Sequence, residues 1–212
     1  MRFVKALILL IVLIMYPLSV TFAYQYFYST SPKTLSAGLV ITYEHYIAVT
    51  NITSKTVVGQ GLTFNITLPI TNQGLQLEAF NVTLMADSSV ITSWENMTLQ
   101  NDANEIISFT CNTTSFAFGN YTLSSFIEPV PGETNSASNN CTGGWFIVSK
   151  IGDMTGPNGY PDGKVDMRDV ALVARAFGST IGSSNWNPNC DINNDGVVNM
   201  KDVALVARHF GT

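Results

Sequence analysis

The stretch Asp191-Ile192-Asn193-Asn194-Asp195-Gly196-Val197-Val198-Asn199-Met200-Lys201-Asp202 decides the reading of the chain. It places oxygen-bearing side chains at loop positions 1, 3, 5, 9 and 12 and glycine at 6, the arrangement of a calcium loop. A hard dication needs about six or seven oxygens around it, and Gly196 permits the sharp turn that gathers them. Val197 contributes a backbone carbonyl, Val198 turns its side chain into a core, and Asp202 closes the shell from the first turn of a helix.

Outward from this loop, residues 165–179 recur as 198–212, with eleven of fifteen positions identical at an offset of thirty-three. A duplication of this kind means two copies of one supersecondary unit. In the first copy Asp162, Gly163, Lys164, Asp166 and Asp169 align with Asp195, Gly196, Val197, Asn199 and Asp202, Lys164 offering its carbonyl. Upstream the two copies diverge. If Asp153 is the first ligand, the loop holds five extra residues. If a spacing of twelve is kept, Asn158 is first and Tyr160 third, and tyrosine is a poor calcium ligand. The insertion is favoured, with Asp153 as ligand and Asn158 or a carbonyl of the inserted turn supplying the missing oxygen. All seven acidic residues after residue 150 fall in these two loops. Each loop leads into a helix, 169–177 and 202–210, whose apolar stripes are Val170, Leu172, Val173 and Phe177, and Val203, Leu205, Val206 and Phe210.

A duplicated calcium loop with one helix per repeat, entered through Gly152-Asp153, resembles the dockerin family over 150–212. The resemblance implies two calcium ions and calcium-dependent docking onto a cohesin-like or Ig-like protein module, which attaches a polypeptide to a scaffold or cell surface. It also implies contact positions at Met167, Arg168, Met200 and Lys201, with Arg175 and Arg208 further along the helices. These differ from the small hydroxyl residues of cellulosomal dockerins, so the partner need not be a cellulosomal one. The near-identity of the copies would let a partner be gripped in either of two orientations.

Residues 36–149 have a different period. Short segments of alternating apolar and polar residues are expected as strands near 45–51, 62–71, 78–86, 90–99, 104–112, 119–127 and 143–149, separated by turn signals such as Asn72-Gln73-Gly74. Seven short strands without a helical period predict an Ig-like sandwich. Val58-Gly59-Gln60-Gly61, the Thr71-to-Gly74 turn and Phe118-Gly119-Asn120-Tyr121-Thr122 followed by Pro131-Gly132-Glu133-Thr134 resemble the CARDB family, Ig-like modules of prokaryotic, here archaeal-like, surface proteins. The expected fold is thus a mainly β N-terminal sandwich plus a small α C-terminal domain of two EF-hand-like calcium loop-helix repeats.

Asn-x-Ser/Thr triplets stand at Asn51, Asn65, Asn81, Asn96, Asn112, Asn120 and Asn140, all within the sandwich segment and several on the polar face of a strand. They are candidate glycosylation sites on an exported chain. Cys111 and Cys141 are expected at opposite ends of the sandwich, too far apart to bond, which leaves three free thiols with Cys190. Residues 1–23 carry Arg2 and Lys5 ahead of an apolar run ending in Thr21-Phe22-Ala23, and read as a signal peptide or an N-terminal membrane anchor. Either places the remainder outside the cytoplasm, with membrane contact only through this segment.

Charged residues make up 12% of the 212, about half the usual share, and ten Lys and Arg face fifteen Asp and Glu, which excludes a nucleic-acid binder. The sandwich carboxylates are scattered and His45 has no nucleophile motif beside it, so the expectation is a non-enzymatic chain. Its expected work is docking through the calcium module, with the sandwich adhesive or a spacer. Two alternatives are a carbohydrate-binding accessory of a polysaccharide-degrading complex, using Trp94, Tyr121 or Trp145 on a cell-surface glycan, and a self-associating surface-layer component.

Overall fold

The computed structural model describes residues 18–22, 39–43, 45–134 and 136–212. Most of the expected signal or anchor segment therefore lies outside the described residues. Two strands, β1 (Leu18–Phe22) and β2 (Leu39–Tyr43), form an antiparallel pair by themselves.

The sandwich comprises β3 (Ile47–Val49), β4 (Thr53–Ser54), β5 (Val57–Gly59), β6 (Thr63–Asn72), β7 (Glu78–Ala86), β8 (Ser89–Leu99), β9 (Asn104–Asn112), β10 (Gly119–Ile127) and β11 (Asn140–Ser149). One sheet runs β5-β11-β10-β7-β8; in the other, β6 pairs with β3, β4 and β9. The chain crosses between sheets after β4, β5, β6, β8 and β9, while β7–β8 and β10–β11 remain paired neighbours, as in an Ig-like Greek key. β5 runs parallel to β11 and closes one edge of its sheet.

Period-two alternation produces the core directly. In β6, Phe64, Ile66, Leu68 and Ile70 point inward, while Thr63 and Asn65 face solvent. Phe80, Val82, Leu84 and Ala86 of β7 meet them from the other sheet, with Leu123 and Ile127 of β10 and Phe146 and Val148 of β11. Phe146 is fully buried, with Phe64, Tyr121 and Phe116 centred 4.8, 5.3 and 5.6 Å away. The edge strand β8 is mostly exposed and bulged, and Asn96 lies there at φ 54° with its N–H donating to Asn81 Oδ1.

The seven expected strands are all present. The sequence reading did not include β4 and β5, which at two and three residues are too short to show an alternation.

The C-terminal unit holds α1 (Met167–Ala176) and α2 (Met200–His209), which pack around Met154, Val165, Val173, Ala176, Cys190, Ile192, Val198 and Val206. Leu62 packs against both this core and that of the sandwich, so the two units share a boundary. Cys111, Cys141 and Cys190 are free; the first two lie in different sheets and at opposite ends.

Candidate metal centre

The start of α2 shapes the second loop. Asn199 is the N-cap and its side chain accepts the Lys201 N–H at 2.8 Å, while Asp202, three residues on, accepts the Asn199 N–H at 2.9 Å. A capping box thus uses the residues at loop positions 9 and 12. The other oxygen of Asp202 accepts the Ile192 and Asn193 N–H groups at 2.8 and 3.3 Å. Asp191 accepts the N–H groups of Asp195 and Gly196 at 3.0 and 2.8 Å, a fold-back that requires the left-handed backbone of Gly196, φ 85°. One ligand atom from each of Asp191, Asp195 and Asp202 lies within 4.8 Å of the others.

Asp191 and Asp202 are 4% and 0% exposed. Burial pushes the Asp191 carboxyl up, opposed by the Gly196 and Asp195 amides and by Lys55. Asp195 faces solvent, and hydrogen bonds from Lys201 Nζ at 3.0 Å and Asn193 Nδ2 at 2.9 Å hold its carboxyl below the usual range. Three carboxylates converge, and the Asn193 and Asn199 side chains and the Val197 carbonyl beside them offer oxygen as well. That chemistry fits a hard divalent cation such as calcium and lacks the nitrogen or sulfur that zinc prefers.

The first loop repeats this scheme. Asp166 caps α1 and Asp169 completes its capping box. Asp169 Oδ1 accepts the Met154 and Thr155 N–H groups at 2.8 and 3.0 Å, and Oδ2 the Asp166 N–H at 2.9 Å. Asp153 accepts the Asp162 and Gly163 N–H groups at 3.2 and 2.9 Å, as Asp191 does its own pair. Hydrogen bonding therefore pairs Asp153 with Asp191, Thr155 with Asn193 and Asp169 with Asp202. Asp153 and Asp169 are 1% and 0% exposed, and burial raises the Asp153 carboxyl to about 6 despite its two amide donors.

The inserted turn lies between Thr155 and Asp162 and carries Asn158, which is exposed; Lys164 follows Gly163 and is also exposed. Thr155 was not among the expected ligands. The matching triplets Asp153-Met154-Thr155 and Asp191-Ile192-Asn193 are the signal that would have found it.

The repeats are clasped to each other. Val198 donates to Ser179 O and accepts from the Gly178 N–H, after α1; Val165 donates to Thr212 O and accepts from the Gly211 N–H, after α2. Gly152 allows the repeats to close together, since a Cβ there would stand 3.2 Å from Val206 Cα.

The centre also abuts the sandwich. Lys55, 7% exposed, donates from Nζ to the backbone carbonyl of Asp191 at 2.9 Å. Asn189 Oδ1 accepts the Thr56 and Val57 N–H groups, both at 3.0 Å, and its Nδ2 donates to Thr56 Oγ1 at 2.9 Å. Ser149 Oγ donates to Asp153 O at 2.6 Å. Neither Lys55 nor Asn189 carries a local motif; only the tertiary fold brings them to the loop.

Met167 and Met200 are each 65% exposed, and Arg168, Arg175, Lys201 and Arg208 also face solvent. Arg168 pairs with Asp166 at 2.7 Å, so one cation of each helix start sits on a loop carboxylate. In the sandwich, Asn51, Asn65, Asn96, Asn112, Asn120 and Asn140 are exposed. Asn81 is half-buried and donates to Glu128 Oε2 at 3.0 Å. Trp94 packs edge-on against Phe109, and Tyr121 stacks on Phe146. Trp145 is more exposed and meets Tyr160 of the inserted turn at 5.9 Å.

Residues 161–211 match the family described as the dockerin type I domain, a minority of the chain that begins after Asp153 and the inserted turn. The dockerin resemblance read from the loops is matched there. Among solved structures, the CARDB domain of a Pyrococcus furiosus protein in complex with di-metal ions is similar at 19% identity and TM-score 0.46, covering 51% of this chain and 98% of its own. A type II cohesin-X-dockerin complex from Acetivibrio cellulolyticus is similar at 19% identity and TM-score 0.28, over 76% of this chain and 96% of that one. A β-glucosidase from Listeria innocua in complex with gluconolactone is similar at 12% identity and TM-score 0.36, over 50% of this chain and 16% of its own. No curated protein sequence matches the chain.

Proposed function

We propose that this is an exported, non-catalytic surface protein whose C-terminal module binds two calcium ions and docks onto a cohesin-type protein partner. The observation that carries the reading is the paired geometry of the loops: four buried aspartates in two matching hydrogen-bond patterns, three of them within the segment similar to dockerin type I domains and Asp153 just ahead of it. Asp153, Thr155, Asp162, the Lys164 carbonyl, Asp166 and Asp169 would hold one ion. Asp191, Asn193, Asp195, the Val197 carbonyl, Asn199 and Asp202 would hold the other. Calcium supplies the positive charge that lets these carboxylates converge, so that binding energy becomes folding energy. The protein's own part is to fix helix starts and present Met167, Arg168, Met200 and Lys201 from a rigid surface. The sandwich serves as a spacer or adhesive module, its solvent face polar through Asn, Thr and Ser and a substrate for glycosylation.

The test is binding of a cohesin-type module to the full chain with calcium and with chelator. Binding that persists unchanged in chelator would defeat the reading. A second reading, glycan binding, is favoured by a groove of about 520 Å³ lined by Phe118, Asn120, Lys150 and Tyr160 and flanked by Trp145. Loss of glycan-array signal on Tyr160→Ala or Trp145→Ala would support it.

A further inference from the structure

The two loops differ in where their neutralising charge comes from. At the second loop Asp191, Asp195 and Asp202 are faced by Lys201 from α2 and by Lys55 from the sandwich. At the first loop Asp153, Asp162, Asp166 and Asp169 are faced by Arg168, which pairs with the solvent-facing Asp166. Among the described residues none of the four buried carboxylates, Asp153, Asp169, Asp191 and Asp202, forms a direct ion pair; the difference is that the buried Lys55 ammonium is seated on the backbone carbonyl of Asp191.

Resting on the calcium reading above, we infer that Lys55 is a built-in counter-cation of the second loop, holding it formed against the sandwich without calcium and lowering its calcium affinity below that of the first.

The ammonium is almost completely buried and its hydrogen bond ends on the backbone of the first ligand residue. A charge taken out of water in this way is stable only beside opposite charge, which the Asp191 and Asp202 carboxylates supply. Burial lowers the Lys55 ammonium to about 8, and those two carboxylates oppose the shift. Asn189 grips the backbone of the next two residues, Thr56 and Val57, which fixes the main chain from which the Lys55 side chain extends. An arriving dication would therefore enter a site that already faces a fixed positive charge, and the two repel across a poorly screened interior. By linkage the effect is reciprocal: calcium in the second loop weakens the Lys55 contact as much as that contact weakens calcium. The first loop has only its backbone amides and the ion to reconcile its buried carboxylates.

The test is a calcium chloride titration of the full chain after chelation, followed by amide NMR at Gly163 and Gly196. Each of these N–H groups donates to the first aspartate of its own loop, so each reports one site. In the unmodified protein Gly196 should reach half-saturation at higher calcium than Gly163. In Lys55→Met, and equally in Lys55→Gln if the methionine variant folds poorly, the Gly196 midpoint should fall roughly tenfold, at the low end of measured site couplings. The Gly163 midpoint should stay fixed, and Lys55→Arg should restore the original Gly196 midpoint. A Gly196 midpoint unchanged or raised in the neutral variants, or equally shifted in Lys55→Arg, would overturn the inference. If neither amide responds to calcium in the unmodified protein, the calcium reading itself fails.

Discussion

Asp153 and Asp191 lie 38 residues apart, five more than the 33 that separate the other aligned pairs, yet each accepts the N–H of its position-six glycine and of the aspartate before it. The five inserted residues have been absorbed as a surface turn, and the ring of donors has been conserved in space while its spacing in sequence has not. The aspartate is placed by the amides it accepts, not by the length of the segment that follows it.

Removing calcium should lower thermal stability by an amount set by its concentration. One saturable site at a hundred times its Kd contributes about 2.7 kcal/mol. Thermal unfolding of the full chain in calcium and in chelator should show a clear drop in Tm in chelator. Equal Tm values would mean that neither loop binds the ion.

Asp169 and Asp202 each terminate three backbone N–H groups while fully buried. Asp169→Ala should therefore destabilise even the chelated protein by about 3 kcal/mol or more, since each orphaned donor costs roughly 1–3 kcal/mol. Denaturant unfolding in chelator measures this. A loss confined to calcium-containing buffer would show that the carboxylate acts only through the ion.

Burial raises the Asp153 carboxyl to about 6 from the ordinary 3.8. The sign follows from linkage: a raised carboxyl favours the fold below pH 3.8, and this contribution is lost as pH rises through 6. Calcium requires the ionised form, so its affinity for the first loop should weaken as pH falls from 7 through about 6. Calorimetric titrations at pH 7 and pH 5 should show this, and equal affinities would contradict the burial of Asp153.

Phe146→Ala removes the ring enclosed by Phe64, Phe116 and Tyr121 and should cost about 3–5 kcal/mol. Because Phe146 packs in the sandwich cluster and not in that of the loops, the Gly163 calcium midpoint should not move in the folded variant. Denaturant unfolding and the same amide titration check both halves.

Met167, Arg168, Met200 and Lys201, the proposed contact positions, face solvent at the two helix starts. Replacing Met167 and Arg168 by alanine should leave binding of a cohesin-type module within about twofold if either repeat can engage it, whereas replacing Met200 and Lys201 as well should abolish it. Complete loss from one pair alone would assign docking to a single repeat.

Much of this structure was legible in the sequence. The strands from β6 to β10 agree with the sequence reading to within a residue because the two faces of most of them differ sharply in burial, the exposed edge strand β8 apart. The helix starts were displaced by two residues, since the position-nine residue is itself the cap. β5 escaped because all three of its residues are buried, leaving no alternation to read. At the centre, the second loop is contiguous and was read whole. Thr155 was hidden by the insertion, and Lys55 by its separation of 136 positions from Asp191, at which only the packed fold creates a neighbour.

The parallel pairing of β5 with β11 gives the molecule a mechanical character. Val57, Val58 and Gly59 lie beside Ile147, Val148 and Ser149, flanked by the Ile147-to-Thr56 and Gln60-to-Ser149 hydrogen bonds, both 2.8 Å. The C-terminal module follows directly from β11, so tension between a partner held there and the chain entering β5 would pull the two strands lengthwise in opposite directions. Their hydrogen bonds would be loaded together in shear, rather than opened one at a time from an end. The short strand that the sequence concealed thus lies where a tethered protein would bear its load.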